Sequence, residues 1–270
     1  MYELERMTHP EVAARMADGV DTIIVPLGAT ENHGYHAPLR MDSVSVDVVG
    51  RRAAEKLNCF YAPLMPYGMS INHMHFKGTM SLNPTTMAAV VRDLSLSLAH
   101  HGFHHIIMMT AHGGNFAPIQ VGADEARTQC DALIGVCNYF VAVKKRMAEL
   151  LDEPPASFDA SKWRSHAGTL ELALAMLACP EDVKLDQFVY GDLAKVHMNE
   201  GSTIKMLVDM EAYHESGAFG GIDKTTAELG MRIIEVASDA VRDDVLRAIA
   251  AFCKCKGAGH SSRPMGGAGV

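Results

Sequence analysis

The chain has 270 residues, 48% of them hydrophobic and 21% charged, with a formal net charge of −8. That length allows one large α/β domain with a covered sheet. The acidic balance, with no basic run longer than Lys144-Lys145-Arg146, argues against a nucleic-acid or anionic-membrane surface.

In chain order, residues 22–28 read as a buried strand, since a β-branched run ends at Pro26 and Gly28. A polar loop over 29–41 leads to a helix over 42–57, with Val44, Val48, Val49 and Ala53 on one face. A second short strand is expected at 59–66 and a His-bearing loop at 70–82. Asn83-Pro84 marks the start of a helix over 85–101. The run Ile106-Ile107-Met108-Met109-Thr110 is a third strand, followed by a helix at 116–129 and a strand at 132–140.

Residues 152–165 break the pattern and read as an excursion or lid. A helix over 167–178, a strand near 203–209, a loop at 214–223 and a closing helix over 225–252 complete the expected elements. Strand, loop and helix repeat in turn, which implies a mostly parallel sheet with helices on both faces. No second core or repeat is evident. The expected organisation is a single domain over 1–256 and a Gly- and Ser-rich tail over 257–270.

No apolar run approaches the ~18 residues of a membrane span. The N-terminus lacks a basic segment followed by an apolar one, so the expected location is the cytoplasm. The six cysteines show no CxxC spacing, and Cys137 and Cys179 lie in apolar segments as core-filling thiols. The Cys253/Cys255 pair, lacking a second pair, is weak as a zinc site.

The fourteen histidines carry more information. In Glu31-Asn32-His33, residues two apart in an extended loop share a face. Asp42 lies at a helix start, where an N-cap would also account for it. His112 follows a different strand. In a parallel sheet, post-strand loops meet at the carboxyl edge. Carboxylates and imidazoles converging there suit a pair of borderline divalent ions such as zinc or manganese. The group His100, His101, His104 and His105 reads instead as surface.

The segments Pro26–Gly34 with Asp42, Gly78–Leu82, Ala111–Asn115, His166–Glu171 and Ser216-Gly217 with Asp223 together resemble the creatininase (creatinine amidohydrolase) family over nearly the whole chain. The resemblance implies a three-layer α/β/α sandwich and a dinuclear site. It also implies homo-oligomers, hexamers above all, and hydrolysis of a C–N bond by a metal-bridging hydroxide. Glu31 and His112 then match ligands of one ion, His33 a ligand of the other, and Asp42 a bridge. Creatininase carries a Glu two positions after the metal-binding His, where this chain has Gly114. The second ion must recruit another carboxylate, and Glu171 is the natural substitute. Glu171→Gln is expected to lose most of the second ion, and adding Gly114→Glu to that variant to restore part of the metal content.

His166 is read as proton donor to the leaving group or clamp on the intermediate, against a capping or structural role. His36, His75, Ser81, Asn115 and Trp163 are the candidate substrate-binding residues, and His73 either lines the pocket or hydrogen-bonds in a polar loop. Creatinine itself is an unlikely substrate, since Ser165 replaces an acidic residue that creatininase has before this histidine. Family members also deformylate a pyrimidine nucleotide, trim a peptide and open an oxidised inositol ring. The expected substrate is therefore a small cyclic amide or formamide. The alternatives are an inosose-type ring opening at a C–C bond, with His36, Arg40, His73, His75 and Ser81 as hydroxyl partners, and a non-catalytic ligand-binding protein.

Overall fold

A computed structural model describes residues 1–146, 150, 165–189, 207–222 and 225–257. Its strands are β1 (Tyr2–Glu3), β2 (Thr22–Leu27), β3 (Phe60–Tyr61), β4 (His105–Thr110) and β5 (Leu133–Cys137). Its α-helices are α1 (His9–Ala17), α2 (Met41–Leu57), α3 (Pro84–His100), α4 (Phe116–Arg127), α5 (Phe140–Lys145), α6 (Thr169–Ala178) and α7 (Ala227–Gly257).

The strands form one all-parallel sheet in the order β1-β3-β2-β4-β5. Alternate residues of β2 and β4 feed two cores. Ile24, Ile107 and Met109 pack with Val46, Val49 and Ala53 of α2, Leu170 and Leu174 of α6, and Ile233, Ala237 and Val241 of α7. Ile23, Val25, Leu27, Ile106 and Met108 pack on the other face with Met87 and Val91 of α3 and Ile119 of α4. Burial on both faces explains why these strands read as continuous apolar runs rather than alternating ones. The α/β layering expected from the sequence is the one observed.

The connection after β2 runs to β3 on one side, while β4 lies on the other side of β2. The loops leaving β2 and β4 therefore part and open a crevice at the carboxyl edge, the usual ligand position in such sheets.

Four expectations change. The strand at 59–66 shortens to Phe60–Tyr61 plus one bridge between Leu27 and Met65, because Pro63 and Pro66 have no N–H to give a ladder. Residues 207–209 form no strand and run into a 3-10 turn at Met210–Ala212; the rest of that expected strand lies outside the described residues. The closing helix extends to Gly257. Residues 1–21, given no assignment from sequence, hold β1 and α1, the latter started by a Thr8/Glu11 capping box. The expected lid up to residue 164, Trp163, Asp223 and the tail beyond Gly257 lie outside the described residues.

Candidate metal centre

Four elements deliver the five residues of the cluster. Glu31 and His33 sit on the loop after β2, and His112 directly follows β4 with one residue between. Asp42 lies in the first turn of α2 and Glu171 in the first turn of α6. Both carboxylates thus face the positive end of a helix dipole. Asp42 is no N-cap: Arg40 holds that position, with no capping side chain.

The ligand atoms of Glu31, Asp42 and His112 lie within 4.8 Å of one another, as do those of His33, Asp42 and Glu171, and those of Glu31, His33 and His166. Asp42 belongs to two of these triads and is 3% exposed. His112 Nδ1 is 3.2 Å from Glu31 Oε1 and 3.4 Å from Asp42 Oδ2. Its Nε2–H donates to the Met69 carbonyl at 2.9 Å. His33 Nδ1–H donates to the Glu31 carbonyl at 3.1 Å, which aims Nε2 at Asp42 Oδ2, 3.8 Å away. A backbone carbonyl on the far nitrogen fixes tautomer and ring orientation, as is usual for metal-binding histidines.

Both Glu31 carboxylate oxygens, Asp42 Oδ2 and His33 Nε2 are buried without a hydrogen-bond partner. Buried polar atoms are normally satisfied, so four such atoms in one place fit a cation. The electrostatics point the same way. Burial pushes the Asp42 carboxyl well above its usual range, and the Glu31 charge adds to this. Burial also raises Glu31, but the His112, His73 and His166 imidazoles together hold it below its ordinary value. His112 is pulled down by burial and lifted further by Glu31 and Asp42, reaching about 10. His112 Nδ1 thus faces two carboxylates, a position where a divalent ion would offset their charge. His33 falls well below its usual value through burial, reinforced by His166. Glu171 is raised by burial and restrained by His166.

Glu171 Oε2 accepts the Ala167 N–H at 2.6 Å. Ala167 has φ 60, a left-handed conformation unfavourable for a residue with a Cβ. His36 secures the same residue from the other side, donating Nε2–H to the Ala167 carbonyl at 2.8 Å. His166 Nε2–H donates to the Asn32 carbonyl at 2.7 Å, and its ring lies 4.3 Å from that of His33 and 4.8 Å from that of His73.

His73, from the 3-10 turn Ile71–His73, is 2% exposed and places Nε2 3.3 Å from Glu31 Oε1. Burial brings its pKa down to about 3. Its role was open in the sequence, and no periodicity in that loop singles it out. His75, two residues on, is 63% exposed and paired with Glu211, outside the cluster. Ser81 is spent on backbone, accepting from the Ser70 N–H at 2.8 Å and donating to the Leu82 carbonyl at 3.1 Å. Asn115 is fully buried and likewise committed. Its Oδ1 accepts from the Met69 N–H at 2.8 Å, and its Nδ2 donates to the Gly28 carbonyl at 2.9 Å. It pins the 66–70 loop to the end of β2.

The expectation for Gly114 is overturned. A Cβ there would lie 2.3 Å from the Met69 carbonyl oxygen and 2.4 Å from His112 Nε2. Gly114→Glu would therefore displace the His112 ring it was meant to help.

Residues 5–245 match the family described as "Creatininase: Creatinine amidohydrolase". The chain is 30% identical over 196 residues to the creatinine amidohydrolase of Pseudomonas putida, covering 68% of this chain and 74% of that one. It is 26% identical over 239 residues to the mycofactocin precursor peptide peptidase of Mycobacterium tuberculosis (strain CDC 1551 / Oshkosh), covering 85% and 84%. To the 3-dehydro-scyllo-inosose hydrolase of Thermotoga maritima it is 27% identical over 144 residues, covering 53% and 46%. A manganese form of creatininase superposes with a TM-score of 0.77 and a Zn-Zn type mutant with 0.76, each 26% identical over 90% of this chain and 96% of the other. With its fold and its cluster of candidate ligands, the chain belongs to the creatininase (creatinine amidohydrolase) family of metal-dependent hydrolases.

Proposed function

We propose that the protein is a dinuclear amidohydrolase that cleaves a C–N bond of a small cyclic amide or formamide, within one domain over residues 1–256. The observation that carries this is the sharing of Asp42 between two triads whose buried carboxylate and imidazole atoms lack partners. Glu31, Asp42 and His112 would hold one ion, and His33, Asp42 and Glu171 the other. Bound there, two zinc or manganese ions would supply an activated water near neutral pH and polarise the substrate carbonyl.

The chain's own residues complete the chemistry. The Met69 and Glu31 carbonyls orient the two ligand imidazoles, and Ala167 holds Glu171. His166 stacks over the cluster with one nitrogen committed to Asn32, leaving the other to pass a proton to the departing nitrogen. His73, held neutral by burial, would cover Glu31 on one side of the site.

The polyol reading loses support on the residues it needs. His75 turns to Glu211, Arg40 pairs with Asp182 at 2.6 Å, Ser81 serves backbone and His36 serves Ala167. Of its five hydroxyl partners, His73 alone faces the cluster. A creatinine amidohydrolase matched over 196 residues and a peptidase matched over 239 are both named for amide hydrolysis, whereas the inosose hydrolase is matched over 144. Among the described residues no helix is long and apolar enough to cross a membrane. We place the enzyme in the cytoplasm as a homo-oligomer, a hexamer by its kinship, acting on a small molecule without nucleic acid or membrane. Light scattering that returned the mass of one chain would contradict the assembly.

The test is a panel of cyclic amides, formamides and short peptides offered to the protein before and after chelation and metal return. Turnover that vanishes on chelation and returns with zinc or manganese is expected. Turnover indifferent to chelation, or confined to cyclic ketone polyols, would overturn the reading.

A further inference from the structure

Two buried hydroxyls, those of Tyr139 and Ser45, are left unused by the hydrolytic chemistry. Tyr139 follows the carboxyl end of β5 by two residues and is 1% exposed within the α2–α6–α7 core. Its hydroxyl is buried without a hydrogen-bond partner. Ser45 sits on α2 one turn beyond Asp42, on the same helix face. It is fully buried, and its hydroxyl is likewise without a partner. Burial pushes the Tyr139 phenol well above its ordinary range; the Ser45 hydroxyl acts against this, and the Glu171 and Asp42 carboxylates add to it. Tyr139 packs in one core cluster with Val46 of α2, one turn from Asp42, and with Leu170 and Leu174 of α6, which flank Glu171.

A Phe and an Ala would fill the same space without stranding two hydroxyls in a core, and stranded hydroxyls cost the core their desolvation. The donors gain a purpose only if acceptors come within reach. Both carboxylates are ligand candidates, and ligating carboxylates are themselves held by hydrogen bonds from an outer layer.

We propose that Tyr139 and Ser45 are positioning residues of the metal centre, whose hydroxyls hold the Asp42 and Glu171 carboxylates when cations draw them into ligand geometry. The inference rests on the metal-centre reading above. Loss of such outer partners commonly costs about 10- to 100-fold in metal affinity. Because the same hydroxyls burden the metal-free core, binding and metal-free stability should move apart.

The experiment titrates the stripped full-length protein and its Tyr139→Phe variant with Mn2+ by calorimetry, and melts both in metal-free buffer. The expected result is an affinity about 10- to 100-fold lower for the variant, with a metal-free melting temperature equal to or above the parent's. Ser45→Ala should also lower the affinity without lowering that temperature. Parental affinity in Tyr139→Phe would show a passive core hydroxyl. A joint fall of affinity and metal-free melting temperature would show ordinary packing. Either outcome overturns the proposal. A parent that binds no Mn2+ would fail the metal reading itself and this inference with it, a result distinct from an indifferent variant of a binding parent.

Discussion

The two ends of the β2–β4 strand pair each gather histidines around a carboxylate, with opposite consequences. At the amino end, Asp21 receives His105 Nδ1 at 3.0 Å and faces His104 Nδ1 at 3.3 Å, with Thr22 Oγ1 3.2 Å from His105. His104 is 70% exposed there. At the carboxyl end, Glu31, His33, Asp42 and His112 are at most 6% exposed and leave four polar atoms without partners. Residue type is nearly the same. Solvent screens and satisfies the first group, while the second is dry and short of donors, a condition that a divalent cation corrects and a solvated cluster never develops.

The largest effect should come from removing the shared ligand. Asp42→Ala is expected to lower metal content from two equivalents per chain to below one and turnover by roughly a thousandfold or more. Elemental analysis finding two full equivalents would break the contrast between the two ends. Next, Glu171→Gln should keep the ion at Glu31 and His112, lose most of the other, and cut turnover by about a hundredfold. If it binds two ions as tightly as the parent, Glu171 acts as a base or a support for Ala167 instead.

Smaller still is Gly114→Ala, whose Cβ meets the Met69 carbonyl and His112 Nε2. Metal affinity should drop about 10-fold through the displaced ring, with about 1–3 kcal/mol of stability lost to overpacking. Unchanged binding would mean that this loop moves aside freely. At the other end, Asp21→Ala removes exposed pairs and should cost under about 1 kcal/mol, leaving metal content as it was. A loss of metal in that variant would show the wrong end to be the centre.

The sheet was legible where both faces are buried, because runs such as Ile23–Leu27 and Ile106–Met109 admit little but strand. β1 was invisible, as two residues carry no periodicity. The meeting of Glu31, His33, Asp42 and His112 followed from topology, since loops after parallel strands share an edge, whereas Glu171, on a helix, was indicated only by the family resemblance. Choices inside a loop did not. Nothing local tells His73 from His75, and the fold decides by turning one ring under Glu31 and the other toward Glu211. Asn115 and Ser81 carry side chains suited to a substrate, yet their bonds go to backbone that no sequence pattern reveals. The role of Gly114 was missed for the same reason: the atoms that exclude a Cβ come from Met69 and the His112 ring.

The most direct measurement is an anomalous-scattering map from crystals grown with zinc or manganese. The account predicts two peaks flanking Asp42, one against Glu31 and His112 and one against His33 and Glu171, and none beside Asp21. A single peak, or a second ion held without Asp42, would contradict it.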